Sequence, residues 1–401
     1  MDSPCDVRVL IYEPRVEGHH LGFLRMVTED LVDAGYEVSV AIDRRAGPLR
    51  QIRAEMAAIL DRVTIVDACD EAGRPAAGGK IATIAACRER TRADIIFLPN
   101  FDEVASSMLR RAAVGVMPPA ALRGRLSGIY HRPEFLSGGG ISLNRWLKRR
   151  GFERLLRDGW ISHLLLFDTH AREAFKQRWP DAPLFHMAIP FPDNFAADRE
   201  QARRALDLPR DKRVFLFYGA AYRRKGLPLA VDAMLSLPQD TPAFLLCAGR
   251  QASNPAVTRK LGELVRQGRA RVIDRYVSTE EERQLFAAAD AVLLPYRRHL
   301  AGSGVLGRAV GAERPVIASD EGLIGRFIRD HGLGLAVPSG DVTALSDAIE
   351  RIAHAASADL AKWQAAARTL APQWSRGAFR NALIGAFDFR LPPAARTSTE
   401  G

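Results

Sequence analysis

Short apolar runs alternate with segments of helical periodicity along nearly the whole chain of 401 residues. In the first half, the apolar runs predict strands over residues 9–12, 37–42, 63–66, 95–98, 127–130 and 164–167. In the second half, they predict strands over residues 214–218, 243–248, 272–274, 291–295, 316–318 and 334–337. Because strands that alternate with helices pair in parallel, the pattern predicts an α/β protein with two doubly wound sheets.

The alternation breaks at a proline-rich connector over residues 189–194, Ile-Pro-Phe-Pro-Asp-Asn. We therefore predict one domain over residues 1–190 and a second over 191–376. A helix over 377–391 could pack back on the first domain, and 392–401 are expected to form a disordered tail. Ligands of open α/β sheets bind beyond the carboxyl ends of the strands, so we expect a cleft between the domains, lined by strand-to-helix loops.

Composition and charge narrow the class of partner. The formal net charge of +10 suits nucleic acid, an anionic membrane surface or a polyanionic small molecule. No zinc-finger, K-homology or RNP-type signature is present, so we expect no nucleic acid partner. We expect no secretory leader, because the first residues lack a basic segment and lead directly into a strand. The four cysteines have neither metal-binding nor disulfide-type spacing, which predicts reduced thiols, no metal and a cytoplasmic protein.

Two loops of the second domain predict an anion site. The first follows the strand over 214–218 and carries three consecutive cations between glycines: Arg223, Arg224 and Lys225. Arginine can fork onto phosphate oxygens, and lysine acts as a point charge. The second loop opens a helix with Gly302, Ser303, Gly304 and Val305, whose amides can hold an anion. The alternatives are a solvated basic turn and a plain helix start.

Two loops of the first domain also carry polar groups at strand ends. Gly18, His19 and His20 lie between the first strand and the first helix, where a ligand can approach the backbone closely. The spacing is not G-x-G-x-x-G, so no dinucleotide fingerprint is present. His131 directly follows the strand over 127–130. Surface histidines in a tight turn and a structural histidine are the alternatives.

The order of these features resembles the retaining GT-B glycosyltransferases of family 4, the group 1 glycosyl transferases. The resemblance extends over nearly the whole chain and is strongest from about residue 214 to residue 352. Its motifs are a glycine-and-cation turn, an Ala-Ala-Asp strand ending in proline, an Arg-Pro-Val-Ile-Ala strand and a Gly-x-x-Val-Pro turn, at residues 218–226, 288–295, 314–318 and 334–338. The resemblance implies the GT-B architecture, in which two Rossmann-like domains face a cleft.

The resemblance also implies roles for the candidate residues. Lys225, with Arg223 or Arg224, would neutralise the donor diphosphate, and the amides of residues 303–305 would cradle it. Arg275 and Tyr276 lie where such enzymes hold the nucleotide base, and His131 would position the transferred sugar. No metal is expected, because basic groups and helix dipoles stabilise the leaving diphosphate.

The implied activity is a retaining, hexosyltransferase-type transfer from a nucleotide sugar to a glycan or lipid-linked acceptor, in cell-surface polysaccharide or glycolipid synthesis. The first domain would bind the acceptor. A nucleotide-sugar epimerase on the same fold and a non-catalytic protein that binds sugar nucleotides or glycans are the alternatives.

Two departures from the family pattern bear on the donor. Ala220 stands where the family has an arginine, whose role could pass to Arg223 or Arg224. Leu300 and Arg308 stand at the two glutamate positions of the Glu-x7-Glu motif, whose second glutamate normally holds the donor ribose. The donor base and sugar and the stereochemical outcome therefore stay open.

Residues 141–160 combine tryptophan and leucine with many cations. Leu143, Trp146, Leu147 and Leu155 suit one helical face, with basic residues beside it. Such a helix can lie on an anionic membrane near a lipid-linked acceptor, at the inner face of the plasma membrane. An ordinary core-packed helix with a solvated basic side is the alternative, which we favour slightly.

Overall fold

The computed structural model describes residues 7–16, 20–133, 135–136, 142–192, 195, 197–251 and 254–389. The chain divides into two compact units, Met1–Met187 together with Arg380–Gly401, and Ala188–Phe379. The boundary lies close to the proline-rich connector that marks it in the sequence. The tail over 392–401 lies outside the described residues.

The first unit is built on a seven-stranded sheet in which all neighbouring strands are parallel. Its strands are β1 (Arg8–Tyr12), β2 (Glu37–Ile42), β3 (Thr64–Asp67), β4 (Ile95–Leu98), β5 (Leu126–Tyr130), β6 (Ile161–Leu166) and β7 (Leu184–His186). Its helices are α1 (His20–Asp33), α2 (Ala46–Glu55), α3 (Lys80–Thr91), α4 (Asp102–Ala113), α5 (Leu143–Arg157) and α6 (Thr169–Lys176). The strand order is β3-β2-β1-β4-β5-β6-β7.

The second unit has a six-stranded parallel sheet in the order β10-β9-β8-β11-β12-β13. Its strands are β8 (Arg213–Tyr218), β9 (Ala243–Ala248), β10 (Ala270–Ile273), β11 (Ala291–Leu294), β12 (Val316–Ser319) and β13 (Gly334–Val337). Its helices are α7 (Arg199–Ala205), α8 (Leu227–Ser236), α9 (Pro255–Arg266), α10 (Thr279–Ala288), α11 (Gly304–Gly311), α12 (Gly322–His331), α13 (Val342–Ala353) and α14 (Ser357–Leu370). The prediction of two doubly wound parallel sheets is confirmed.

The final helix, α15 (Arg376–Asp388), begins in the second unit, and its residues from Arg380 onward belong to the first. Phe387 is fully buried there, and its ring lies 4.8 Å from the His163 ring and 5.6 Å from the Phe97 ring. The Tyr36 hydroxyl donates to the Asp388 carboxylate at 3.3 Å. These contacts attach the end of the described chain to the core of the first unit.

Asp290 ties α7 to the amino ends of β8 and β11. Its carboxylate accepts the backbone N–H of Val214 at 2.7 Å and also binds the guanidinium groups of Arg199 and Arg203. The side chains of Arg203 and Asp290 are 4% and 5% exposed. Such a pair is strongly stabilising relative to either partner alone, because a buried charge without its partner is costly.

We expect Asp290→Ala to lower the free energy of unfolding of the second unit by about 3–5 kcal/mol, because it leaves Arg203 buried without its counter-charge. Arg368→Ala is the control, since it breaks an exposed pair with Glu313 and should cost about 1 kcal/mol or less. Urea denaturation followed by circular dichroism measures both. Equal losses in the two variants would contradict the assignment of Asp290 as a structural anchor.

Candidate functional site

In the second unit, β8 and β11 are neighbouring parallel strands. The loops that follow them therefore meet at the carboxyl ends of the strands. Gly226 lies at the closest approach: a Cβ atom there would be 1.9 Å from the carbonyl oxygen of Pro295. The backbone N–H of Arg297 also donates to the carbonyl of Arg224 at 2.8 Å. Backbone contact therefore holds the cation segment, which we define as Arg223 to Lys225, against the segment that leads into α11, residues 295–303.

Lys225 points back into the loop that follows β8. Its Nζ lies 2.5 Å from where a Cβ of Gly219 would be, and it donates to the carbonyl of Tyr218 at 3.4 Å. Gly219 has a φ of +94°, which glycine adopts readily. Burial, followed by the charges of Arg224 and Arg308, lowers the pKa of Lys225 to about 8. The ammonium is thus desolvated beside like charges, an arrangement that an anion would relieve.

The start of α11 is fixed by hydrogen bonds from its own loop. Ser303 caps the helix by accepting the N–H of Val305 at 3.2 Å, and its hydroxyl lies 3.3 Å from that of Tyr296. His299 donates through Nε2 to the carbonyl of Gly302 at 3.0 Å. The guanidinium of Arg224 lies 3.4 Å from Nδ1 of the same imidazole. His299 therefore links the cation segment to the amides that open α11.

Glycines on α11 and in the loop before it make room for the proline-rich connector. A Cβ at Gly302 would be 2.3 Å from Cδ1 of Ile189, and a Cβ at Gly311 would be 2.6 Å from the Phe191 ring. The connector thus packs against α11 within the second unit and helps to fix the start of that helix.

Arg308 and Glu282 are residues of this site that sequence reasoning did not place in it. Arg308 donates through Nε to the carboxylate of Glu282 and through Nη1 to the carbonyl of Gly304 at 3.1 Å. Burial, followed by the Glu282 carboxylate, raises the pKa of Tyr218, so Glu282 also contacts that phenol. The sequence identified Arg308 only as a departure from the family's Glu-x7-Glu motif. It gave no sign of Glu282, which belongs to an acidic run of a kind that is typical of a helix start.

The predicted base-binding residues lie in the loop after β10, two strands from β8. Arg275 forms an ion pair with Glu281 at the start of α10, and Tyr276 is 92% exposed. A cavity of about 460 Å³ opens beside them, lined in part by Asp274, Val277 and Gln284. The structure places both candidate residues at the same sheet edge as the cation segment.

In the first unit, His131 is held at the carboxyl end of β5. Its backbone N–H donates to Asp102 at 2.7 Å, and its Nε2 donates to the carbonyl of Pro99 at 2.9 Å. The ring lies against Phe23 and Phe167, with centroids 5.6 Å and 5.2 Å away. Burial lowers the pKa of His131, so the ring is neutral at pH 7.

His20 lies beside His131 and is bonded to Glu13. Its Nδ1 is 2.9 Å from the Glu13 carboxylate, and both side chains are buried. Phe23, which lies in the first turn of α1 with His20, contacts the His131 ring, so the start of α1 lies beside the loop after β5. Gly18 and His19 lie outside the described residues.

The residues that match a known family lie within the second unit. Residues 212–355 match the family model described as glycosyl transferases group 1. The chain is 24% identical over 216 residues to the alpha-D-kanosaminyltransferase of Streptomyces kanamyceticus, a match that covers 52% of this chain and 54% of that protein. It is 29% identical over 161 residues to the D-inositol 3-phosphate glycosyltransferase of Corynebacterium urealyticum, covering 38% of each. The matches thus span about half the length of these curated relatives, or less.

Solved structures resemble the chain over nearly its full length. HepE from Anabaena in complex with UDP has a TM-score of 0.68 at 15% identity, covering 96% of this chain and all of that one (100%). Sucrose-phosphate synthase from Thermosynechococcus elongatus gives 0.64 at 17%, covering 95% and 98%. WaaG, a glycosyltransferase of lipopolysaccharide biosynthesis, gives 0.63 at 15%, covering 96% and 99%. The GT-B fold and the resemblance to group 1 glycosyl transferases are confirmed.

We expect Lys225→Met to raise the free energy of unfolding of the second unit at pH 7 by about 1–3 kcal/mol, because a pKa near 8 means that the fold disfavours the charged amine. The unfolded lysine titrates near 10.5, so the wild type gains stability as pH rises from 8 towards 10.5. The difference in free energy of unfolding between Lys225→Met and wild type should therefore become smaller as the pH rises from 8 towards 10.5.

Urea denaturation at pH 7 and pH 9.5 measures this difference. Lys260→Met is the matched control, since Lys260 is 42% exposed and pairs with Asp232. That variant should gain no stability. A loss of stability in Lys225→Met at pH 7, or a difference that does not narrow with pH, would contradict the assignment.

Proposed function

We propose that this protein is a glycosyltransferase that moves a sugar from a nucleotide-diphosphate sugar to a hydroxyl of a glycan or lipid-linked acceptor, in cell-surface polysaccharide or glycolipid synthesis. The observation that carries the proposal is the meeting of Arg224, Lys225 and the capped start of α11 at one sheet edge. The solved structures of HepE with UDP and with UDP-glucose support a donor of this class.

In the proposed reaction, the second unit binds the donor. Arg223, Arg224 and Lys225, with the amides of Ser303 to Val305, receive the diphosphate. The bond from the anomeric carbon to the phosphate oxygen breaks, a bond to the acceptor oxygen forms, and the proton of the acceptor hydroxyl passes to the leaving diphosphate. Cations and helix amides stabilise the charge that develops on the leaving diphosphate, so the chemistry needs no metal.

We assign acceptor binding to the first unit and a catalytic role to His131. The hydrogen bond from Nε2 to Pro99 fixes the ring orientation, and the lowered pKa keeps the ring neutral. A neutral, oriented imidazole suits hydrogen bonding to a sugar hydroxyl. Retention of the anomeric configuration is part of the proposal and rests on the family resemblance. Proton NMR of the anomeric signal in the glycosylated product tests it.

We expect UDP, GDP or ADP to bind saturably in isothermal titration calorimetry. Lys225→Ala should weaken this binding by about 10- to 100-fold, since it removes a charge-assisted contact. Lys260→Ala on α9, a half-exposed lysine that pairs with Asp232, is the matched control and should bind like wild type. If none of the three nucleotides binds, the proposal fails.

Turnover separates the proposed activity from its alternatives. Release of nucleoside diphosphate from a panel of nucleotide sugars, with transfer of the sugar to a glycan or lipid-linked acceptor, supports the transferase. Conversion of the donor sugar into its epimer without an acceptor would indicate an epimerase. Binding without turnover of any donor would indicate a non-catalytic binding protein, which the absence of glutamate at positions 300 and 308 makes the second candidate.

We also propose peripheral membrane association through the first two turns of α5. Leu143 is 71% and Trp146 50% exposed there, and the Arg150 guanidinium lies 5.5 Å from the centre of the Trp146 ring. Phe152 and Leu155, later in the helix, are fully buried, so the prediction that Leu155 shares one face with Leu143 and Trp146 is wrong: this part of α5 packs in the core. In the described ranges, no helix has both the length and the apolar character needed to cross a bilayer.

We expect the protein to sediment with vesicles of phosphatidylcholine and phosphatidylglycerol in a 3:1 ratio, and not with phosphatidylcholine alone. The double variant Leu143→Ser/Trp146→Ser should lose most of this binding, because it removes the exposed apolar side chains. Val265→Ser changes an exposed apolar residue of α9 and serves as control. Equal sedimentation of the double variant and wild type would contradict the membrane proposal.

A further inference from the structure

Arg308 lies beside the first turn of α11, where the amides that open this helix are found. Its Nη1 donates to the carbonyl of Gly304, and a Cβ on Gly304 would lie only 3.1 Å from that nitrogen. The guanidinium therefore occupies the space that Gly304 leaves free. Arg224 also lies at the start of α11: its carbonyl accepts the backbone N–H of Arg297, and its guanidinium lies 3.4 Å from Nδ1 of His299, whose Nε2 donates to the carbonyl of Gly302. Burial, followed by the charges of Arg224 and Arg308, lowers the pKa of Lys225, in keeping with this placement.

Glu282 orients this guanidinium from the neighbouring helix α10. Its side chain is 8% exposed, and its carboxylate is engaged by Nε of Arg308 and by the phenol of Tyr218. Tyr218 is fixed in turn by Phe286, one turn further along α10, with ring centroids 5.2 Å apart. This carboxylate is therefore buried and is partnered by Arg308.

The chemistry of the exposed group determines what it can bind. The Arg308 side chain is 27% exposed, and a guanidinium only donates hydrogen bonds. A ligand atom that faces Arg308 must therefore be an acceptor. Three cations against one carboxylate leave an excess of positive charge, which favours an anionic acceptor such as a phosphate oxygen. A ribose hydroxyl that needs an acceptor for its proton finds none on Arg308.

We propose that Arg308 is a phosphate ligand of the donor site, and that this site recognises its donor through the diphosphate and not through the ribose hydroxyls. This inference rests on the proposed function, since it concerns the same site. It extends the substrate class to deoxyribonucleoside-diphosphate sugars alongside the ribonucleotide forms. Glu282 is then a positioning residue that orients Arg308.

Calorimetry with UDP, 2′-deoxy-UDP and inorganic pyrophosphate tests the inference. In wild type, the dissociation constants for UDP and 2′-deoxy-UDP should agree within about 3-fold, since the site does not bind the 2′-hydroxyl. Arg308→Ala should weaken binding of all three ligands by about 10-fold, the loss of one charge-assisted contact. Arg308→Lys should restore part of the affinity, because it keeps the charge.

Arg266→Ala is the matched control, because Arg266 also donates to the carbonyl of a glycine four residues earlier, on α9. Arg308→Ala leaves Glu282 buried without its partner and can reduce folding. The double variant Arg308→Ala/Glu282→Gln removes that charge and should show the same 10-fold loss with a wild-type melting temperature.

The calorimetric results decide both parts of the inference, the phosphate role of Arg308 and the lack of ribose recognition. Unchanged binding of UDP and pyrophosphate by the Arg308 variants overturns the role of Arg308 as a phosphate ligand. A preference for UDP over 2′-deoxy-UDP of more than about 10-fold in wild type overturns the claim that the site does not recognise the ribose hydroxyls. Both results leave the proposed function standing if UDP still binds and Lys225→Ala weakens it. If wild type binds no nucleotide and no pyrophosphate, the proposed function and this inference fail together.

Discussion

The site in the second unit depends on the backbone contact between Gly226 and Pro295. Any side chain at position 226 would collide with the Pro295 carbonyl, and the φ of +74° suits glycine. The contact lies between β8 and β11, where the strand order reverses direction, and such switch points are where α/β sheets bind ligands. The first unit repeats the geometry: Glu13 follows β1 and Asp102 follows β4, at its own switch point.

The charged groups at the amino ends of β8 and β11 are arranged differently from those at the carboxyl ends. At the amino ends, the carboxylate of Asp290 is surrounded by donors, and its charge is matched by Arg199 and Arg203. At the carboxyl ends, Lys225 has no such counter-charge among its hydrogen-bond partners in the described part of the chain, and burial, followed by the charges of Arg224 and Arg308, lowers its pKa to about 8. The first arrangement holds the sheet and α7 together. The second disfavours the charged form of Lys225, and a bound anion would stabilise that form.

Much of the fold could be predicted because buried parallel strands appear as apolar runs. The structure adds α4, α14 and β7, which the prediction did not include. The buried residues of α4 do have regular helical spacing, from Val104 and Ala105 through Met108 and Leu109 to Ala112, so the sequence carried this signal and it was missed. For α14, which is rich in alanine, and for β7, which has only three residues, packing against the rest of the unit decides the structure and local pattern does not.

The candidate site could be predicted only in part, for a similar reason. Glycines and consecutive cations identified both loops, since these residue types have few other uses at strand ends. The contacts of His299 with Arg224 and of Glu282 with Arg308 join residues from different loops and helices. Sequence spacing does not reveal such pairs. Asp290 could be recognised as part of a motif, but its role depends on arginines more than 80 residues away.

The proposed function requires the cation segment and the start of α11 to bind one diphosphate together. Hydrogen–deuterium exchange with and without UDP tests this claim most directly, because amides that bind a phosphate are protected from exchange. Peptides covering residues 219–226 and 302–308 should be protected together, to the same extent and at the same UDP concentration. Protection of one segment without the other, or of neither at a saturating concentration, would contradict it.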